Sequence, residues 1–248
     1  MIRAVIFDMG GTLLRYRREG MRTWRDMEDA GIRGIYRYLL DQGHPLPPHE
    51  DEYVEAMFQR LAEGWQQATG GQISLRAVDW IAAGAAAHRL RLDEAALLEA
   101  ARHYARPLRD GLTAMPGAAE TLTWLRAVGY RTALISNTIW PAELHLEDLD
   151  KHGLLAHLEH TIFSGDAGIW KPDARIFHHA CAALGVAPAE AVFVGDNPRE
   201  DIAGAQGAGL RAVWHRGDEF PLPTDLRPDA TIDNLPELPA LLARWNAT

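Results

Sequence analysis

Three aspartates and a lysine stand out in this 248-residue chain because each lies at or shortly after the end of a short apolar run. Asp8 follows Ala4-Val5-Ile6-Phe7, and Gly10, Gly11 and Thr12 come directly after it. Ser136 and Asn137 end the run that begins at Arg131. Lys171-Pro172 lies a few residues beyond Thr161–Phe163. Gly195-Asp196-Asn197, and then Asp201, follow Ala191–Val194. Carboxylates in such a group suit Mg²⁺, a hard ion that prefers oxygen ligands. A lysine, two hydroxyls and the backbone N–H groups near glycines such as Gly11 suit the neutralisation of phosphoryl oxygens. A carboxylate can also attack phosphorus and form an aspartyl-phosphate. The set therefore suits phosphoryl transfer.

These residues meet only if the apolar runs lie side by side as parallel strands. In open parallel sheets, ligands bind beyond the carboxyl ends of the strands, where the strand order reverses. The rhythm after Pro116-Gly117 fits that requirement. Helices are expected over 117–128, 142–152, 173–184 and 199–208, alternating with strands at 131–135, 161–163, 191–194, 212–214 and 230–232, before a last helix. Residues 16–112 instead carry a helical period throughout. Met21, Trp24, Met27, Ile32, Ile35 and Leu39 mark a first helix, and Tyr53 to Trp65 a second. Ser74 is placed to N-cap a third helix running to about His88, and Asp93 a fourth running to about Ala105. The expected fold class is α/β: a Rossmann-like parallel-sheet core, residues 1–14 and 113–248, with a helical bundle, residues 15–112, inserted after the first strand.

Four segments carry a family likeness: Phe7-Asp-Met-Gly-Gly-Thr-Leu13, Leu134-Ile-Ser-Asn137, Lys171-Pro-Asp173 and Val194-Gly-Asp-Asn-Pro-Arg-Glu-Asp201. In this order they resemble the signature of the haloacid dehalogenase superfamily of hydrolases, in the subgroup with a helical cap after the first strand. The resemblance implies a role for each residue. Asp8 would be the nucleophile. Asp8, Asp196 and the backbone carbonyl of Gly10 would ligate Mg²⁺, and Asp201 would help hold it. Thr12 and Ser136 would bond phosphoryl oxygens, Lys171 would bridge Asp8 and the phosphoryl group, and Asn137 and Asn197 would assist, Asn137 at the substrate. The partner implied is a small phosphorylated metabolite.

One position departs from the pattern. The family usually carries a second acid two residues after the nucleophile, where this chain has Gly10. General acid–base help of that kind is worth about 10²–10⁴ in rate. Dehalogenases of the family lack this acid and need no metal, but those resembling this chain carry small polar residues in place of Asp196. Without a cation, Asp196 beside Asp8 would cost like-charge repulsion. Phosphonate-cleaving relatives use a cap lysine as a Schiff base, and residues 15–112 contain no lysine. A Mg²⁺-dependent phosphatase is the expectation, with a 2-haloacid dehalogenase or a non-catalytic phospholigand binder as alternatives.

Composition narrows the rest. Lys+Arg is 25 against 34 Asp+Glu, a formal net charge of −9, which argues against nucleic acid or an anionic membrane as partner. No stretch reaches 18 consecutive apolar residues, the N-terminal apolar run is too short for a signal peptide, and Cys181 is the one cysteine. A cytoplasmic setting is the resulting expectation; oligomeric state is left open. His157, His160, His178 and His179 lack the pattern of a zinc helix, and Cys181 reads as core. Trp24, Trp65 and Trp80 read as packing residues. Arg15, Arg17 and Arg18 read as a solvated hinge rather than as readers of a second anionic group.

Overall fold

The structure is a computed structural model that describes residues 1–16, 23–69, 75–217 and 219–247. Met21, Ser74, Arg17 and Arg18 lie outside the described residues. Strand β1 (Ala4–Phe7) is entirely buried, and β2 (Leu14–Arg15) follows the first turn. Four helices come next: α1 (Trp24–Asp41), α2 (Glu50–Thr69), α3 (Ala77–Ala87) and α4 (Glu94–Arg109). After them the chain runs β3 (Thr113–Ala114), α5 (Ala118–Ala127), β4 (Arg131–Ser136), α6 (Ala142–Lys151), β5 (His160–Phe163), α7 (Ser164–Ala167) and α8 (Ala174–Leu184). It closes with β6 (Ala191–Gly195), a π-helical turn over Pro198–Ala203, α9 (Gly204–Gly207), β7 (Arg211–His215), β8 (Ala230–Ile232) and α10 (Leu238–Ala247). This is the expected α/β fold.

Six strands form one sheet in the order β5-β4-β1-β6-β7-β8, every pair parallel. The chain builds outward from β1 through β4 to β5, then crosses back to β6 on the other side of β1. The order therefore reverses at β1, and Asp8 is the first residue beyond that strand. Both faces are apolar because both are covered. Ala4, Ile6, Ala133, Ile135, Ala191 and Phe193 share one buried cluster with Ile176, Phe177, Ala180 and Cys181 of α8. Alternation sends Val5, Phe7, Leu134, Val192 and Val194 to the other face, where they are equally buried.

The chain divides into two compact units. One comprises 1–15, 113–138 and 146–248; the other comprises 16–112 and 139–145. In the helical unit α1 crosses α4 closely. A Cβ added at Gly31 would lie 2.5 Å from the Tyr104 carbonyl oxygen, and one at Gly34 would lie 2.5 Å from that of His103. Asp93 caps α4 by accepting from Ala96 N–H, as expected. That helix runs past the expected stop, through Pro107 to Arg109. Trp80 is buried, its indole donating to the Met57 carbonyl at 3.1 Å. Trp24 instead is 40% exposed, lying against Phe58. Segment 139–145, expected in the core, is part of the helical unit; the Ala77 N–H donates to the Ile139 carbonyl and Arg109 to that of Leu144.

Candidate active site

The strand ends bring Asp8, Lys171, Asp196 and Asp201 together, and all four are buried. The Lys171 ammonium donates to Asp8 Oδ1 and to Asp201 Oδ1, each at 2.6 Å. Asp8, Asp196 and Asp201 each offer a carboxylate oxygen, and the three oxygens lie within 4.8 Å of one another. Like charges this close are costly in a buried setting. Burial is the main cause that pushes the Asp8 carboxyl up to about 7; Asp201 adds to it and Lys171 opposes it. Asp196 is pushed up to about 8, first by burial, then by Asp8 and Asp201. Burial disfavours the Lys171 charge, but Asp201 and Asp8 outweigh it and hold the ammonium protonated.

Local turns build this cluster. Gly11 adopts φ +80°, and a Cβ there would come 2.2 Å from Asp196 Oδ2, so the loop after β1 packs its backbone against the Asp196 carboxylate. The Gly11 N–H, expected to face a phosphoryl oxygen, donates instead to the Leu14 carbonyl at 2.8 Å, because the turn closes on itself there. Gly10 is half-buried. Thr12 is fully buried, and its hydroxyl has no hydrogen-bond partner among the described residues. Ser136 ends β4 and is buried.

The segment after β6 is not the single α-helix expected over 199–208. Asn197 caps it, its Oδ1 accepting from the N–H groups of Arg199 and Glu200. Asp201 Oδ2 reaches back to accept from Asn197 N–H at 2.9 Å. The wide π turn thus directs Glu200 and Asp201 of one turn toward the site.

Asn137 makes three contacts. Its Oδ1 accepts from Lys171 N–H at 2.8 Å, and its Nδ2 donates to the Lys171 carbonyl and to Glu200 Oε2, both at 2.9 Å. Glu200 was not singled out in the sequence, although it adjoins Asp201. Two other residues were also missed. The Trp214 indole donates to the Asp196 carbonyl at 2.9 Å, and His215 Nδ1 lies 3.1 Å from the Gly11 carbonyl. They end β7, and reading strand ends one strand further would have marked them.

A cluster with three carboxylates and one ammonium has the donor set for a divalent cation bound through oxygen. Lys171 lowers the Asp196 carboxyl, but burial, Asp8 and Asp201 outweigh it. A divalent cation placed among these oxygens would offset their mutual repulsion.

Comparison with known proteins agrees with the strand-end signature. A family model described as haloacid dehalogenase-like hydrolase matches residues 2–209. The chain is 32% identical to a phosphoserine phosphatase of Thermus thermophilus, over 96% of this chain and 98% of that one. A solved 2-haloacid dehalogenase from Pseudomonas syringae superposes with a TM-score of 0.68 at 26% identity, over 99% of this chain and 100% of that one. A phosphatase from Thermococcus onnurineus gives 0.62 at 26% identity, over 97% and 98%.

Proposed function

Because the chain belongs to the haloacid dehalogenase-like hydrolases, we propose that it is a Mg²⁺-dependent phosphatase that cleaves a small phosphomonoester through an aspartyl-phosphate on Asp8. The observation that carries this reading is Asp196, a buried carboxylate beside Asp8 and Asp201. A metal-free dehalogenase would have no use for it. Asp8, Asp196 and the Gly10 carbonyl, with Asp201, are the groups that would hold Mg²⁺, which when bound supplies positive charge against these carboxylates and the phosphoryl oxygens.

The chain's own residues do the rest. An Asp8 carboxylate oxygen attacks phosphorus, and the bond from phosphorus to the leaving oxygen breaks with its electron pair on that oxygen. Lys171 offsets the charge of Asp8 and of the phosphoryl group. The unpaired Thr12 hydroxyl and Ser136 are assigned to phosphoryl oxygens. Water then attacks the aspartyl-phosphate, releasing phosphate and restoring Asp8. Gly10 offers no proton to the leaving oxygen, so that proton comes from water or from a group of the helical unit. Esters with good leaving groups, such as nitrophenyl phosphate, should therefore turn over readily. The helical unit is assigned the role of a cap that chooses the substrate.

The test is a panel of phosphorylated metabolites with Mg²⁺, phosphoserine among them in view of the Thermus relative. Phosphate release that disappears in EDTA and in Asp8→Asn supports the proposal; no Mg²⁺-dependent release from any ester sinks it. Gly10 favours a second reading, a 2-haloacid dehalogenase, which halide release from a 2-haloacid without metal would establish.

A further inference from the structure

Asn137 stands where the family likeness implies a substrate contact, yet its hydrogen-bonding groups are engaged within the protein. A primary amide has one acceptor oxygen and two donor protons. Here the oxygen takes the Lys171 N–H, and the two protons go to the Lys171 carbonyl and to Glu200. Chemistry sets the orientation, because a flipped amide would turn its NH₂ toward the Lys171 N–H. Lys171 is thus held at both ends. Asn137 grips its main chain, while Asp8 and Asp201 take its ammonium. Glu200 and Asp201 are neighbours on one turn, so the contacts close a ring from the Lys171 ammonium through Asp201, Glu200 and Asn137 back to the Lys171 main chain.

We propose that Asn137 is a positioning residue and not a substrate contact, and that with Glu200 it sets where the Lys171 ammonium lies relative to Asp8. The proposal rests on the reading of Asp8 as the nucleophile. A lysine side chain is long and flexible, and fixing its main chain limits where its charge can go. Misplacement of a reacting group by 1 Å can cost about 10²-fold in rate.

The test uses the full chain with Asn137→Ala, Asn137→Asp, and Asn137→Asp combined with Glu200→Gln. Asn137→Ala should lower kcat by about 10–100-fold and leave KM within about threefold. Raised KM at unchanged kcat would overturn the proposal in favour of a substrate contact. Asn137→Asp keeps an acceptor for the Lys171 N–H but sets a carboxylate against Glu200 and against the Lys171 carbonyl. Adding Glu200→Gln reverses donor and acceptor at that contact alone, leaves the clash with the Lys171 carbonyl, and should recover about tenfold of the loss; no recovery would overturn the Glu200 part. A second readout does not depend on turnover. The chain has two lysines, Lys151 and Lys171, so ¹⁵N-lysine labelling gives two backbone amide signals. Asn137→Ala should speed exchange of the Lys171 amide by at least about tenfold while the Lys151 signal, in α6, reports an intact fold. Unchanged Lys171 exchange overturns the clamp. Faster exchange in a protein that hydrolyses no phosphomonoester supports the clamp and overturns the phosphatase reading alone.

Discussion

Asp8 and Asp196 share an electrostatic cost that the proposed cation would offset. Burial and neighbouring carboxylates push their carboxyls from the ordinary 3.8 to about 7 and about 8. The folded state therefore holds protons that the unfolded chain has already released. Their contribution to stability is full below the ordinary value and is lost as pH rises through the folded values, because ionising these buried groups favours unfolding. In EDTA, Tm should fall between about pH 4 and about pH 8. Mg²⁺ should raise Tm, and by more at the upper end of that window. A Mg²⁺-induced rise that is the same at every pH would count against a shared carboxylate site. Asp196→Asn should erase most of the Mg²⁺-induced rise, together with turnover. Asp8→Asn should cut turnover by about 10³-fold or more, since a nucleophile acts as part of a unit; burst-free residual hydrolysis near wild type would remove Asp8 from the chemistry.

At the scale of elements, the turn between β1 and β2 is the tightest point of the site. Gly11 combines φ +80° with a backbone pressed on the Asp196 carboxylate. Gly11→Ala should therefore destabilise the protein by about 1–2 kcal/mol through its left-handed backbone alone. It should also weaken Mg²⁺ binding, because the new methyl displaces the Asp196 oxygens. Denaturant unfolding and Mg²⁺ titration check the two effects separately, and a variant with wild-type Mg²⁺ response would refute the second. The strands that place Asp8, Ser136 and Asp196 were legible in sequence because each is a short apolar run ending in a polar residue. The ribbon of β2 and β3 was not, since two residues per strand show no period. The π turn after β6 was equally hidden. It depends on Asn197 and Asp201 bonding the backbone around them, and periodicity does not report that. Asn137 and Lys171 were both marked as candidates, but the bonds between them join segments 34 residues apart, which no local pattern encodes.

For the molecule as a whole, the charge is unevenly placed. Residues 15–112 hold 14 arginines against 15 acids, and residues 113–248 hold 10 basic residues against 18 acids. The acidity thus lies with the sheet, where three carboxylates gather and two of them hold one ammonium. Arginine supplies nearly all the positive charge, which makes the two lysines separately observable. Lys151 is exposed, whereas Lys171 is 4% exposed and held as an ammonium by Asp201 and Asp8. Acylating reagents need a neutral, accessible amine. Treatment of the folded protein with an amine-reactive acetylating reagent should therefore modify Lys151 and spare Lys171, with phosphatase activity retained. Denaturation before treatment should expose both. Peptide mass spectrometry distinguishes the two sites, and modification of Lys171 in the folded protein at a rate like that of Lys151 would show that the ammonium is not enclosed between Asp8 and Asp201.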